Sequence, residues 1–185
     1  MNHRIKVQKD GKAFFTFQDI LPKEGKLDLL IVGKVPAPTS VRLGHYFQGR
    51  QGKAMWNKLT EYGILKLRTD YHDDSLLNNN IGITDIVKEP REAGNEPSIF
   101  EYQEGKERIL RIIDKYNPKV IFFVYKPVLE NCVPFLSKIE YGFNDHLSKY
   151  FYGSKVFLYP MSGVRTVTTN VIESKMQELK IVLEK

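Results

Sequence analysis

The chain has one cysteine among its 185 residues, so an intrachain disulfide is excluded and a reducing, cytoplasmic setting is favoured. Cys132 lies in an apolar helical stretch, and we expect it to be packed rather than reactive. The four histidines are scattered, and no Cys/His cluster has the spacing of zinc ligands. No apolar run approaches the ~18 residues that span a membrane, and the N-terminus, MNHRIKVQKDGK, lacks the apolar core of a signal peptide.

Acidic residues are fewer than basic ones, which leaves a formal net charge of +6. A basic surface permits a polyanionic partner such as nucleic acid, because neutralising phosphates releases counterions. The alternative is a solvated basic face with no partner. The length suits a single domain over residues 1–185, and a hydrophobic fraction of 42% suits a substantial core.

Short apolar runs alternate with amphipathic stretches along the chain. They predict strands at 27–33, 80–87, 119–125 and 155–159, and helices at 52–62, 103–116, 127–139 and 170–183, the last opened by capping-box spacing at Asn170 and Glu173. This alternation predicts a mostly parallel, four-stranded sheet with right-handed crossovers. Ligands bind beyond the carboxyl ends of such strands, which points to the loop after Gly33, the segment Thr84–Lys88 and the loop after Tyr159.

These three segments carry a family resemblance. Gly33–Ala37 (GKVPA), followed by Gly44–Gly52 (GHYFQGRQG), resembles motif 1 of the uracil-DNA glycosylase superfamily, G-x-x-P-A with a later G-x-x-F-x-G-x-x-G. Ile83–Pro90 (ITDIVKEP) resembles the superfamily strand T-N-x-V-K-x-x-P. Tyr159–Arg165 (YPMSGVR) is similar to motif 2 of the mismatch-specific uracil/thymine branch, and the intervening NPKVI at 117–121 also matches that branch.

The resemblance covers roughly residues 27–183 and implies the fold of that superfamily, a three-layer α/β sandwich. It implies a monofunctional DNA glycosylase that flips a damaged or modified pyrimidine out of DNA, cuts the bond to the sugar and leaves an abasic site. Such an enzyme needs no metal or other cofactor and no membrane, and we expect it to act as a monomer on DNA.

The resemblance also assigns roles to residues. Phe47 matches the aromatic ring that stacks on the flipped base, Tyr46 is a second candidate ring, and the Ala37 N–H could bind O2 of the base. Arg165 aligns with the wedge that fills the space the base leaves. The expected DNA contacts are Gly33, Lys34, Pro36, Lys88, Ser162, Gly163 and Arg165.

Asp85 departs from the family, which often has asparagine at this position. An asparagine amide offers one donor and one acceptor, which match N3–H and O4 of uracil, whereas an ionised aspartate only accepts. Asp85 would accept from the exocyclic amine of cytosine and would face uracil O4 acceptor to acceptor. We therefore expect a cytosine-type base, such as the 5-modified cytosines of some phage genomes, which would fit a defence role. The alternative is a surface acid or a group that acts on water.

The sequence leaves the catalytic group open. Glycosidic cleavage develops positive charge on the sugar, so a polar group should stabilise it or position water. Relatives often carry Asp, Asn or Glu within motif 1, but this chain has Lys34 and Val35 there. The candidates are His45 as a base, Thr39 and Ser40 as groups that position water, and Asp85 itself.

Two other functions remain open. The first is a non-catalytic nucleic-acid-binding module on the same fold, because motif 1 lacks its usual polar residue. The second is an unrelated α/β hydrolase that acts on nucleotides or small esters. This second function is disfavoured because the chain has no G-x-S-x-G, P-loop or G-x-G-x-x-G motif.

Overall fold

The structure, a computed structural model, describes residues 2–161 and 167–184. Its centre is a five-stranded sheet in the order β4-β3-β5-β7-β6. The strands are β3 (Leu29–Gly33), β4 (Ile81–Asp85), β5 (Val120–Phe123), β6 (Gly142–Phe143) and β7 (Lys155–Leu158). The four predicted strands are present and run parallel. The predicted count of four was one short, because the two-residue β6 pairs antiparallel with β7 at the edge and is too short to show a pattern.

Helices cover both faces of the sheet and give the predicted three layers. The helices are α1 (Pro38–Leu43), α2 (Arg50–Glu61), α3 (Ile99–Tyr116), α4 (Lys126–Cys132) and α5 (Thr169–Glu184). On one face α2 and α5 pack on alternate strand residues such as Ile31 and Phe122. On the other face α3 and α4 pack on Val32 and Phe123. The central strands are therefore apolar on both sides, as parallel strands between helices are.

The boundaries of all four predicted helices differ from the predictions, and α2 begins two residues early, at Arg50. Helix α3 begins four residues earlier, because Ser98 and Glu101 form a capping box at its start. Helix α4 ends at Cys132 rather than near residue 139, since Pro134 has no N–H to continue it. The last helix begins at Thr169, and the Val171 N–H donates to Thr168 Oγ1 over 3.4 Å, so Asn170 lies inside the helix rather than at its cap.

An N-terminal hairpin was not predicted. Strands β1 (Arg4–Lys9) and β2 (Lys12–Phe17) pair antiparallel around an Asp10-Gly11 turn, a sequence that favours a tight hairpin. The segment after β2 touches the main sheet through a bridge between Ile20 and Ile83. The hairpin therefore lies against the β4 edge.

Of the helices in the described part of the chain, none has the length and apolarity needed to cross a membrane.

Candidate base-binding site

A cavity of about 470 Å³ opens beyond the carboxyl ends of β3 and β4. Its lining comes from the loop after β3, the N-terminal turn of α1, the 46–49 loop with the first turn of α2, the end of β4, the 91–95 loop, Phe17 and Tyr125. This is the position that the parallel-sheet topology predicts for a ligand. Two of the three predicted loops meet here. Ser162, Gly163 and Arg165, expected in the third, lie outside the described residues.

Phe47 lines the cavity in an unusual backbone conformation. Its φ of 55° lies in the left-handed region, which is uncommon for a bulky residue. Two glycines make room for it: a Cβ at Gly33 would lie 2.8 Å from Phe47 Cζ, and a Cβ at Gly52 would lie 2.5 Å from Phe47 Cβ. The ring meets Trp56 edge to face, with 5.9 Å between centroids. Its orientation is therefore set by the surrounding backbone and by Trp56.

Buried hydrogen bonds hold the loop that carries Phe47. The Asp73 carboxylate accepts from the Tyr46 N–H over 2.7 Å and is 2.8 Å from His45 Nδ1. Ser40 Oγ accepts from the Gln48 N–H over 3.0 Å, and Trp56 Nε1 donates to the Tyr46 carbonyl over 3.1 Å. Backbone polar groups of the loop are thus satisfied by side chains of other segments, which favours one loop conformation.

Asp85 ends β4 at the cavity wall and is 1% exposed. Neither of its carboxylate oxygens has a hydrogen-bond partner among residues 2–161 and 167–184. Burial raises the pKa of this carboxyl to about 7, Lys88 and Arg108 oppose the rise, and Asp19 adds to it. A buried carboxylate without a partner is costly, so this group is suited to receive a hydrogen-bonding ligand.

A polar network lies beneath Asp85. Asp19 accepts from Lys88 Nζ over 2.6 Å and from Arg108 over 2.7 Å. It also accepts from the Thr84 hydroxyl over 2.7 Å. Arg108 donates to the backbone carbonyl of Asp85, so the network holds the strand end rather than the carboxylate. Lys88 was expected to contact DNA, but here its ammonium group is paired with Asp19 and lies outside the cavity lining.

The cavity brings together all four predicted base-recognition residues and several other predicted site residues. Its lining includes Lys34, Pro36, Ala37, Ser40, Tyr46, Phe47 and Asp85. His45 and Thr39 lie outside the lining, and so does Gly33, whose role is to leave space for its neighbours. His45 bonds to Asp73 and stacks on Tyr71 with 3.5 Å between ring centroids, while Thr39 Oγ1 accepts from Arg42 over 3.1 Å. Of the four catalytic candidates, Ser40 and Asp85 line the cavity, whereas His45 and Thr39 do not.

Sequence reasoning missed several lining residues: Phe17, Gln51, Arg91, Glu92, Asn95 and Tyr125. Tyr125 follows β5, so the strand-end rule could have found it. The 91–95 loop gave no local signal. It is positioned by a hydrogen bond from the Arg91 N–H to the Pro36 carbonyl over 3.1 Å and by the ion pair between Arg91 and Glu101.

The family model for the uracil DNA glycosylase superfamily matches residues 22–176. The chain belongs to the uracil-DNA glycosylase superfamily. The match begins before β3 and ends within α5, so it includes every strand of the central sheet and all the lining residues of the cavity except Phe17. Members of this superfamily are generally DNA glycosylases of base excision, and the match confirms the resemblance at the level of the superfamily.

Proposed function

We propose that this member is a monofunctional DNA glycosylase that excises a cytosine-type base, one with a 5-substituent, and leaves an abasic site. The observation that carries the proposal is the Asp85 carboxyl group, which is buried at the wall of the cavity with both oxygens unpaired among the described residues. A flipped base that supplies hydrogen-bond donors would satisfy it.

The two protonation states of Asp85 select bases differently. The ionised carboxylate accepts two hydrogen bonds, which match the exocyclic amine of cytosine and a proton at its N3. The neutral acid can donate to cytosine N3 and accept from the amine, so in both states the pair contains one proton, shared between the carboxyl group and N3. Uracil fits only the neutral acid, because its O4 would face the ionised carboxylate acceptor to acceptor. Cytosine N3 is a base and uracil O4 is a far weaker one, so the pair with cytosine retains its shared proton to higher pH. Discrimination against uracil therefore increases as the pH rises through the Asp85 pKa of about 7.

The rest of the cavity suits a base that carries a substituent. Phe47 and Tyr125 supply aromatic surface, and stacking on an aromatic ring contributes ~1–3 kcal/mol per base. The 470 Å³ volume lies in the range of small-ligand pockets and exceeds the needs of a bare pyrimidine ring. Glu92 and Asn95 add hydrogen-bonding groups at the exposed side. A polar 5-substituent would find room and partners there, which fits removal of modified cytosines from phage DNA.

The hydrolytic step needs a group that positions water near the sugar. Ser40 is our candidate, because its buried Oγ lines the cavity and accepts from the Gln48 N–H, which leaves the hydroxyl proton to donate. Asp85 is our candidate for placing a proton on N3 of the base, which would make it a better leaving group. Neither role needs a polar side chain at position 35.

A panel of duplexes tests the proposal. Each duplex carries uracil, cytosine or a 5-substituted cytosine at one site, and abasic product is measured by strand cleavage in alkali. We expect product from a cytosine-type base with the wild type, and loss of product with Phe47→Ala and Asp85→Ala. Excision of uracil alone would reject the cytosine assignment.

A non-catalytic binding module is the second candidate, favoured by the apolar Val35 in the cavity wall. Tight binding of the same duplexes with no abasic product from any of them would support that candidate and reject the enzyme.

A further inference from the structure

A second group of polar side chains meets behind the loop that carries Phe47, outside the base-binding cavity. We call it the His–Asp cluster; its members are His3, His45, Asp73 and Asp74. Each offers one metal-ligating atom, and these atoms all lie within 4.8 Å of one another. The nearest pairs are His3 Nε2 to Asp74 Oδ1 at 2.7 Å and His45 Nδ1 to Asp73 Oδ1 at 2.8 Å.

Three separate segments build this cluster. His3 precedes β1, His45 lies in the 44–49 loop, and the two aspartates begin a 3-10 turn at Asp73–Ser75. Backbone hydrogen bonds fix the N-terminal segment: the His3 N–H donates to the Gly44 carbonyl over 3.0 Å, and the His3 carbonyl accepts from Gln18 over 2.9 Å. The positions are far apart in sequence, so the spacing of histidines could not indicate a site.

The cluster is nearly closed to solvent and rich in negative charge. The Asp73 side chain is 0% exposed, and the side chains of His3 and Asp74 are 11% and 8% exposed. Among the described residues, the ion-pair partners of Asp73 are the two histidines, without a lysine or arginine. Buried carboxylates are generally paired with a cation or coordinate a metal, because an uncompensated buried charge is costly.

We propose that the His–Asp cluster is a structural zinc site. Two imidazole nitrogens and two carboxylate oxygens form a four-ligand set of the kind that suits tetrahedral Zn²⁺, with bonds of about 2.0–2.2 Å. Mg²⁺ and Ca²⁺ prefer oxygen ligands alone. Four protein ligands leave no open position for a substrate, so the role is structural rather than catalytic.

The site would join the start of the N-terminal hairpin to the loop that shapes the base pocket. His45 is followed directly by Tyr46 and Phe47, and Asp73 also accepts from the Tyr46 N–H. The ring of Tyr71 stacks on His45 and covers one side of the cluster. Bound zinc would therefore stabilise the fold and restrict the motion of the loop, whatever base the pocket accepts.

Zinc titration of the full chain tests this site. Protein stripped with a chelator is titrated with Zn²⁺ by calorimetry, and Co²⁺ serves as a spectroscopic probe of geometry. We expect one equivalent of Zn²⁺ to bind, Co²⁺ to show the intense visible absorption of a tetrahedral complex, and Tm to rise by several degrees. His3→Gln and Asp74→Asn, at the edge of the cluster, should each weaken binding at least tenfold. His146→Gln, at an exposed histidine elsewhere, is the matched control and should leave binding unchanged.

Two results would overturn the zinc proposal. Absence of stoichiometric zinc binding by folded wild type would overturn the proposal and leave the cluster as a set of histidine–aspartate hydrogen bonds. Equal affinity in wild type, His3→Gln and Asp74→Asn would overturn it as well. Circular dichroism checks that each variant is folded. If one is not, the other variant and the Co²⁺ spectrum of the wild type decide the question.

Discussion

Gly33 and Asp85 are register partners at the last rung of the parallel pair β3 and β4, and a side chain at Gly33 would collide with the Asp85 carboxylate. Gly33 also leaves space for the Phe47 ring. Because Gly33 has no Cβ, the Asp85 carboxylate and the Phe47 ring can both approach the end of β3 and form the polar and aromatic walls of the pocket. The glycine that opens motif 1 acts here through packing against these two side chains rather than through a turn.

Replacing Gly33 by alanine tests this contact. We expect Gly33→Ala to destabilise the protein by about 1–3 kcal/mol, the usual cost of overpacking, and to reduce excision at least tenfold. In an Asp85→Ala background the same change should cost less, because the carboxylate that it meets is gone. A double-mutant cycle by urea unfolding measures this coupling. If the free-energy changes of Gly33→Ala and Asp85→Ala add within about 0.5 kcal/mol, residues 33 and 85 do not compete for space.

The raised pKa of Asp85 predicts how stability depends on pH. The folded state retains the proton up to about pH 7, whereas the unfolded chain loses it near the ordinary value of 3.8, so the folded state binds more protons between these values. Stability should therefore fall as the pH rises through this window, by at most about 1.4 kcal/mol per pH unit from this group. Asp85→Asn should remove this contribution and be more stable than wild type at pH 8.

Urea unfolding of wild type and Asp85→Asn from pH 4 to 8 measures the difference. Asp114→Asn, which removes an exposed acid on α3, is the control and should follow the wild-type curve. A constant difference between Asp85→Asn and wild type across the window would contradict a buried, titrating Asp85.

The charge of Asp19 should influence the pKa of Asp85. Its negative charge raises the pKa of Asp85, while Lys88 and Arg108 lower it. Asp19→Asn leaves the two cations in place, so the Asp85 pKa should fall. Carboxyl-carbon NMR of the folded protein follows the midpoint directly. An unchanged or higher midpoint would indicate that the network does not act on Asp85 through charge.

Phe47 should contribute to binding of the flipped base. Phe47→Ala removes the ring, and a loss of ~1–3 kcal/mol of stacking corresponds to roughly 5- to 150-fold slower single-turnover excision at subsaturating enzyme. Phe135→Ala removes a ring that is 93% exposed on the loop after α4 and should leave the rate unchanged. Equal rates for wild type and Phe47→Ala would exclude the stacking role.

Local patterns predicted the central strands because β3 and β5 are buried on both faces and read as short apolar runs. They missed β1 and β2, whose residues are mostly exposed, although the Asp10-Gly11 turn indicated a hairpin. Phe47 and Asp85 were found through motifs that follow strands. The position of His45 outside the cavity lining could not be predicted, because sequence cannot tell on which side of a loop a ring lies and its partner Asp73 is distant along the chain. Arg91, Glu92 and Asn95 reach the cavity by long-range packing that no local pattern encodes.

Excision at pH 8 from matched duplexes with uracil and 5-substituted cytosine tests the central claim most directly. At this pH Asp85 of the free enzyme is mainly ionised, given its pKa of about 7, and the pair takes up its shared proton more readily with cytosine, whose N3 is basic, than with uracil. The wild type should release the cytosine-type base and leave uracil in place, while Asp85→Asn should reverse this preference. Release of uracil by the wild type, with the modified cytosine left intact, would contradict the account.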